Sequence, residues 1–223
     1  MAQGLETDVY GVPAYSTLGW TNLLGGDPLL NTFVNYPEGE LARMIFHELA
    51  HQAVYVQGDT VFNESFATAV ERLGAQRWLA QHASPAAQAE YALGNQRRSQ
   101  FQALTRATRQ TLLGIYAQYP QGQAPAPALK QQALDDFRAS YAQLKAQWGG
   151  FAGYDAWVQR ANNASFAAVS AYDELVPGFE ALFEHVGQSW PKFYDAVQAL
   201  ARLPLSERST ALKTKHFTET SGG

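Results

Sequence analysis

Along most of the chain, apolar positions recur every three to four residues, which is the helix period. From Pro37 and Glu38 to about residue 56, Leu41, Met44, Ile45 and Leu49 are spaced to form the buried side of a first helix. Gly58 and Asp59 turn the chain, and residues 60 to 62 read as a short extended piece. Asn63 then serves as the N-cap of a second helix, which carries Phe66, Val70 and Leu73 on one side and runs to about residue 81. Ser84 followed by Pro85 opens a third helix. Phe101, Leu104, Thr108, Leu112, Ile115 and Tyr119 extend it to Tyr119, with Gly94 as its one point of interruption. A proline-rich loop spans residues 120 to 127. Leu129, Leu134, Phe137, Tyr141 and Leu144 mark a fourth helix, which Trp148-Gly149-Gly150 stops. A fifth helix is predicted over residues 154 to 175, and shorter ones over 177 to 186 and 191 to 203. The polar tail after Ser206 is expected to fray.

Residues 1 to 37 break this pattern. They are rich in Gly, Pro, Asn, Tyr and Thr, with short strands predicted at 7 to 10 and 14 to 18 and a turn at Gly25-Gly26-Asp27-Pro28. The fold expected is mainly α: one domain over residues 1 to 223, with a small extended region near the N-terminus. Composition adds exclusions. The chain is 46% hydrophobic and 16% charged, which is globular and not disordered. A net charge of −4 gives no footprint for nucleic acid or anionic lipid. With no cysteine, disulfides and thiolate-held zinc are excluded. No apolar run approaches the roughly 18 residues that span a bilayer, so no transmembrane segment is expected. The first residues show neither a basic n-region nor an apolar h-region, so no signal peptide is read there.

The chemistry concentrates between Ile45 and Leu73. His47, Glu48 and His51 form H-E-x-x-H within an apolar helix. Residues four apart share a helix face, so His47 and His51 can aim both imidazoles at one zinc ion. Glu48 can lie beside that ion and take a proton from water, as a general base. A third ligand has two candidates. Glu64 stands at the start of the next helix, and Glu71 lies seven residues later. Nineteen residues separate His51 from Glu71, an interval that by spacing alone favours Glu71. Its other reading is a solvated helix residue close to Arg72 and Arg97.

H-E-L-A-H-Q followed by F-N-E-S-F-A-T-A-V-E resembles the gluzincin metallopeptidases, aminopeptidase N and its relatives above all. There a similar H-E-L-A-H-Q precedes a helix beginning N-E-G-F-A. The resemblance implies that His47, His51 and Glu64 bind one zinc ion and that Glu48 is the base. The interval between the two motifs is shorter here, and the amine-binding G-x-M-E-N is absent upstream of His47. A family of predicted zinc aminopeptidases from Gram-negative bacteria is similar over most of the chain. It shares A-Y-S-T-L-G-W at 14 to 20, D-P-L-L at 27 to 30, G-A-Q-R-W-L at 74 to 79, N-N-A at 162 to 164 and Y-D-E-L-V-P-G-F at 172 to 179. Members of that family usually carry a longer N-terminal region with a lipoprotein-type signal. The resemblance therefore implies a truncated chain and a place in the cell envelope or periplasm.

The function expected is a zinc-dependent peptidase acting on peptide substrates, an aminopeptidase by resemblance. A narrow-specificity endopeptidase and a zinc-stabilised binding protein without turnover are the alternatives. A peptidase also needs a donor for the oxyanion. Tyr172, Tyr15 and Tyr154 are the candidates, with Tyr172 first. Asn162 and Asn163 read as a helix cap, or else as a clamp for substrate backbone. Residues 15 to 18 read as an edge strand that could pair with substrate, and Arg97-Arg98 as a solvated face or a carboxylate site. His82, His185 and His216 read as surface residues.

Overall fold

The structure is a computed structural model that describes residues 6–9, 35–119 and 127–217, without the side chains of 169–173. The described residues form nine α-helices and no strand. In chain order they are α1 (Glu38–Ala53), α2 (Thr60–His82), α3 (Pro85–Tyr116), α4 (Pro127–Gln147), α5 (Asp155–Arg160), α6 (Asn163–Asp173), α7 (Val176–His185), α8 (Trp190–Ala201) and α9 (Leu205–Thr214). The mainly helical expectation holds. Thr7 to Val9 form no strand. Tyr10, residues 14 to 18 and the turn at 25 to 28 lie outside the described residues.

The helices divide into two compact units. One takes residues 6–9, 92–119 and 127–170, and the other 35–91 and 171–217. The second unit is built around α2. Between Phe62 and Glu71 every residue of α2 is buried except Glu64. A helix buried on all sides must be apolar or small on all sides. Here Ser65, Ala67, Thr68 and Ala69 let neighbours approach between Phe62, Phe66 and Val70. Phe62 and Phe66 meet Phe179 of α7 at ring separations of 5.2 and 5.7 Å, and Phe193 of α8 and Leu212 of α9 close the core.

The α1–α2 connection departs from its expected form. Residues 60 to 62 are helical, because Asp59 and not Asn63 is the N-cap, accepting from the Phe62 N–H at 3.0 Å. Arg208 of α9 donates to the other Asp59 oxygen at 2.8 Å. Asn63, freed from capping, clasps Val56: its side-chain oxygen accepts from the Val56 N–H and its amide donates to the Val56 carbonyl, both at 2.8 Å. Glu64 consequently stands in the second turn of α2 and not at its start.

The buried side of α1 also differs from the apolar spacing. Gly39, Ala42 and Ala50 face inward with Phe46, while Ile45 is 38% and Leu49 51% exposed. Two glycines mark close contacts of α1: a Cβ on Gly39 would stand 2.5 Å from the Tyr91 ring of α3, and one on Gly74 of α2 would stand 3.1 Å from the Phe46 ring. At the other end of the chain, the tail expected to fray forms α9, with Arg208 and Leu212 buried.

The first unit has its own aromatic core of Phe101, Phe137, Tyr141, Trp148 and Phe166. Helix α3 runs through Gly94 without interruption. The single helix expected over 154 to 175 is broken between α5 and α6, where Asn162 accepts from the N–H groups of Ala164 and Ser165 at 2.9 and 3.1 Å. Asn162 also donates to the Thr7 carbonyl at 2.9 Å, which ties down the first described residues.

Candidate metal centre

The candidate site lies wholly within the second unit, on α1 and α2. His47 and His51 stand one turn apart, with ring centroids 5.0 Å apart and planes at 83°. Glu64 reaches across from α2, its two oxygens 3.4 Å from His47 Nε2 and 3.8 Å from His51 Nε2. One ligand atom from each residue lies within 4.8 Å of the others, and His47, His51 and Glu64 could together hold a metal ion. Four-coordinate zinc with bonds of about 2.0–2.1 Å places its ligand atoms about 3.4 Å apart, so the His47–Glu64 separation already has the span required. The donor set of two imidazoles and a carboxylate suits zinc among the common divalent ions.

Local sequence explains the convergence. The i, i+4 spacing puts both imidazoles on one face of α1. The Asn63 clasp on Val56 fixes the start of α2 against the end of α1 immediately before Glu64. Glu48 follows His47 on α1 and is half-buried.

Glu71, the rival for third ligand, occupies another position. It is buried at 8% exposure, and the solvated reading near Arg72 and Arg97 fails. One oxygen lies 3.0 Å from His47 Nδ1, on the far side of the ring from Glu64, and the other accepts from Arg43. Arg43 also donates to Glu40 at 3.1 Å. Spacing along the chain cannot distinguish a carboxylate at Nε2 from one at Nδ1.

These contacts set the charges. Burial alone would pull the His47 pKa down. The hydrogen bonds and charges of Glu64 and Glu71 more than offset this and raise it to about 9. His51 moves the other way, lowered by burial and by the neighbouring His47. For Glu71, burial raises the pKa, and the contacts with His47 and Arg43 outweigh it, so the carboxyl titrates below its ordinary range. His51 Nδ1 is buried without a hydrogen-bond partner among the described residues. A metal ion at Nε2 would leave that nitrogen as the N–H tautomer.

The other candidates fall elsewhere. Tyr154 stacks on Phe101 at 4.1 Å within the aromatic core of the first unit. Arg97 of that unit donates to the Trp148 carbonyl at 3.3 Å and lies 4.5 Å above the Phe151 ring, so it is engaged structurally. Asn162 caps α6, as the cap reading expects, whereas Asn163 donates to the Tyr116 hydroxyl at 2.7 Å. His82, His185 and His216 are exposed. The Tyr172 side chain and all of residues 15 to 18 lie outside the described residues. The Arg43–Glu71 pair escaped the sequence reading; its one trace there was two charged residues at core-facing positions of adjacent helices.

No helix among the described residues is long and apolar enough to cross a membrane. A family model described as "Putative aminopeptidase" matches residues 1–212. Searches of curated proteins and of solved structures found no match.

Proposed function

The chain belongs to the family described as "Putative aminopeptidase", and from that premise we propose that it is a one-zinc peptidase whose metal is held by His47, His51 and Glu64. The observation that carries the reading is the convergence of these three side chains from two helices, in a family whose description names a peptidase. The pair α1–α2 is then the metal-binding core of a zincin-like fold of the gluzincin type, supported by H-E-x-x-H and N-E-S-F-A.

Bound zinc supplies Lewis acidity, polarising the scissile carbonyl and making the adjacent water more acidic. Glu48 acts as general base, takes the proton from that water and delivers it to the leaving amine. His47 and His51 orient the reacting groups by fixing the ion, and Glu64 contributes the negative charge of the ligand set. The substrate is a peptide, and the family description favours removal of its N-terminal residue.

The test joins metal analysis to turnover. The purified protein should contain one zinc per chain, and Glu48→Gln should keep that zinc while losing hydrolysis by about 10²–10⁴-fold. Hydrolysis by Glu48→Gln at the wild-type rate would overturn the mechanism. Glu64→Ala should lose zinc, whereas unchanged zinc in that variant would remove Glu64 from the ligand set. Amino-acid amides assayed against N-terminally blocked peptides separate an aminopeptidase from an endopeptidase.

A further inference from the structure

Resting on the reading that His47, His51 and Glu64 hold zinc, we propose that Glu71 is a positioning residue that fixes His47 for the metal, and that Arg43 fixes Glu71 in turn. An imidazole that binds metal through Nε2 carries its proton on Nδ1, and a ring not held at Nδ1 can turn to offer either nitrogen. Glu71 Oε2 stands 3.0 Å from His47 Nδ1 while Glu64 faces Nε2. An ionised carboxylate only accepts, so this contact requires Nδ1–H as donor and leaves Nε2 free for the ion.

A carboxylate as buried as Glu71 needs a charged partner to stay ionised. Arg43, whose side chain is 12% exposed, takes the oxygen that His47 does not. Glu40, Arg43, Glu71 and His47 thus form one chain of contacts, with Glu71 crossing from α2 to α1. Both Glu71 oxygens are engaged on the Nδ1 side, so Glu71 stands behind the ligand and does not compete with Glu64. The two histidines are therefore unequal. His47 is held in place by protein contacts, whereas His51 Nδ1 has no hydrogen bond among the described residues. Loss of Glu71 should disturb the first ring and spare the second.

The experiment compares wild type, Glu71→Ala and Glu71→Gln. Zinc affinity is measured by competition with a chromophoric chelator, and the zinc-loaded proteins are examined by ¹⁵N-histidine NMR. Wild type should bind one zinc and show a protected Nδ1–H on His47. Glu71→Ala should bind zinc about 10–100-fold more weakly, with the His47 Nδ1–H exposed to exchange and the His51 ring signals unchanged. Glu71→Gln can still present an amide oxygen to the same proton, so it should fall between the two; it also carries the test if Glu71→Ala does not fold. Wild-type zinc affinity in Glu71→Ala, or in Glu71→Gln where the alanine variant does not fold, would overturn the positioning role and leave the metal site standing. So would a loss that follows thermal stability alone, with His47 Nδ1–H still protected. A wild-type protein that binds no zinc would overturn the metal site and this role together.

Discussion

The His47 imidazole shows how one side chain registers everything placed around it. Its pKa of about 9 in the metal-free protein lies above the ordinary 6.5, because two carboxylates outweigh burial. A raised folded-state value means stability that is complete below pH 6.5 and lost as pH rises through 9. Metal-free protein should therefore lose stability to urea between pH 6.5 and 9, by on the order of 3 kcal/mol, and His47→Asn should flatten that slope. On the proposed zinc reading the ion displaces the same proton, so calorimetry in buffers of different ionisation enthalpy should detect proton release at pH 7. A second residue-scale prediction concerns Asn63. Replacement by alanine removes both bonds to Val56 and leaves its backbone groups unpaired, which should cost about 2 kcal/mol in denaturant unfolding. It should also weaken zinc binding, because Glu64 is the next residue. Glu64 and Glu71 differ at this scale too. Glu64 faces Nε2 and Glu71 faces Nδ1, a difference of one ring edge that no count of residues along the chain contains.

Helices meet where the sequence lets their backbones approach. Gly178 of α7 marks such a place in the second unit: a Cβ there would stand 2.4 Å from the Leu212 carbonyl oxygen of α9. Gly178→Ala should push the two helices apart and destabilise the protein by about 1–3 kcal/mol. Gly114 of α3 is the contrasting case, exposed and with nothing within 4 Å of its added Cβ. Gly114→Ala should stabilise by up to about 1 kcal/mol, because alanine is the better helix former. Thermal or urea unfolding of the two variants gives opposite signs if this account of packing holds. The same logic explains why Ile45 and Leu49 are exposed although their spacing suits a buried face. Gly39, Ala42 and Ala50 take the interior positions of α1, Gly39 against the Tyr91 ring of α3, while Ile45 and Leu49 stay outside.

Each of the two units has its own apolar core, and the candidate metal site belongs entirely to the unit centred on α2. Zinc should therefore act on the unfolding of that unit. At a free concentration about 1,000-fold above Kd, the gain is about 4 kcal/mol. Differential scanning calorimetry should show a transition that rises with zinc and falls back with chelator, and His51→Ala should abolish the response. Arg208 connects this unit across its length in sequence: it binds the Asp59 cap from α9 at 2.8 Å. A segment that reads as a polar tail is thus part of what sets the start of α2.

The sequence alone determines the helical class, because apolar periodicity is a local property and persists over most of the chain. It also brings His47 and His51 to one helix face, since i, i+4 geometry is built into any helix. Tertiary structure decides what the period cannot carry. It assigns the cap to Asp59 and frees Asn63 to clasp Val56. It folds the last polar stretch onto the core as α9, because Leu212 and Arg208 find partners far away in sequence. It sets Glu64 and Glu71 on opposite edges of one imidazole, which requires α1 and α2 to be docked at a particular rotation and depth. A periodic pattern fixes which face of a helix is apolar, but only packing fixes how two such faces are turned against each other.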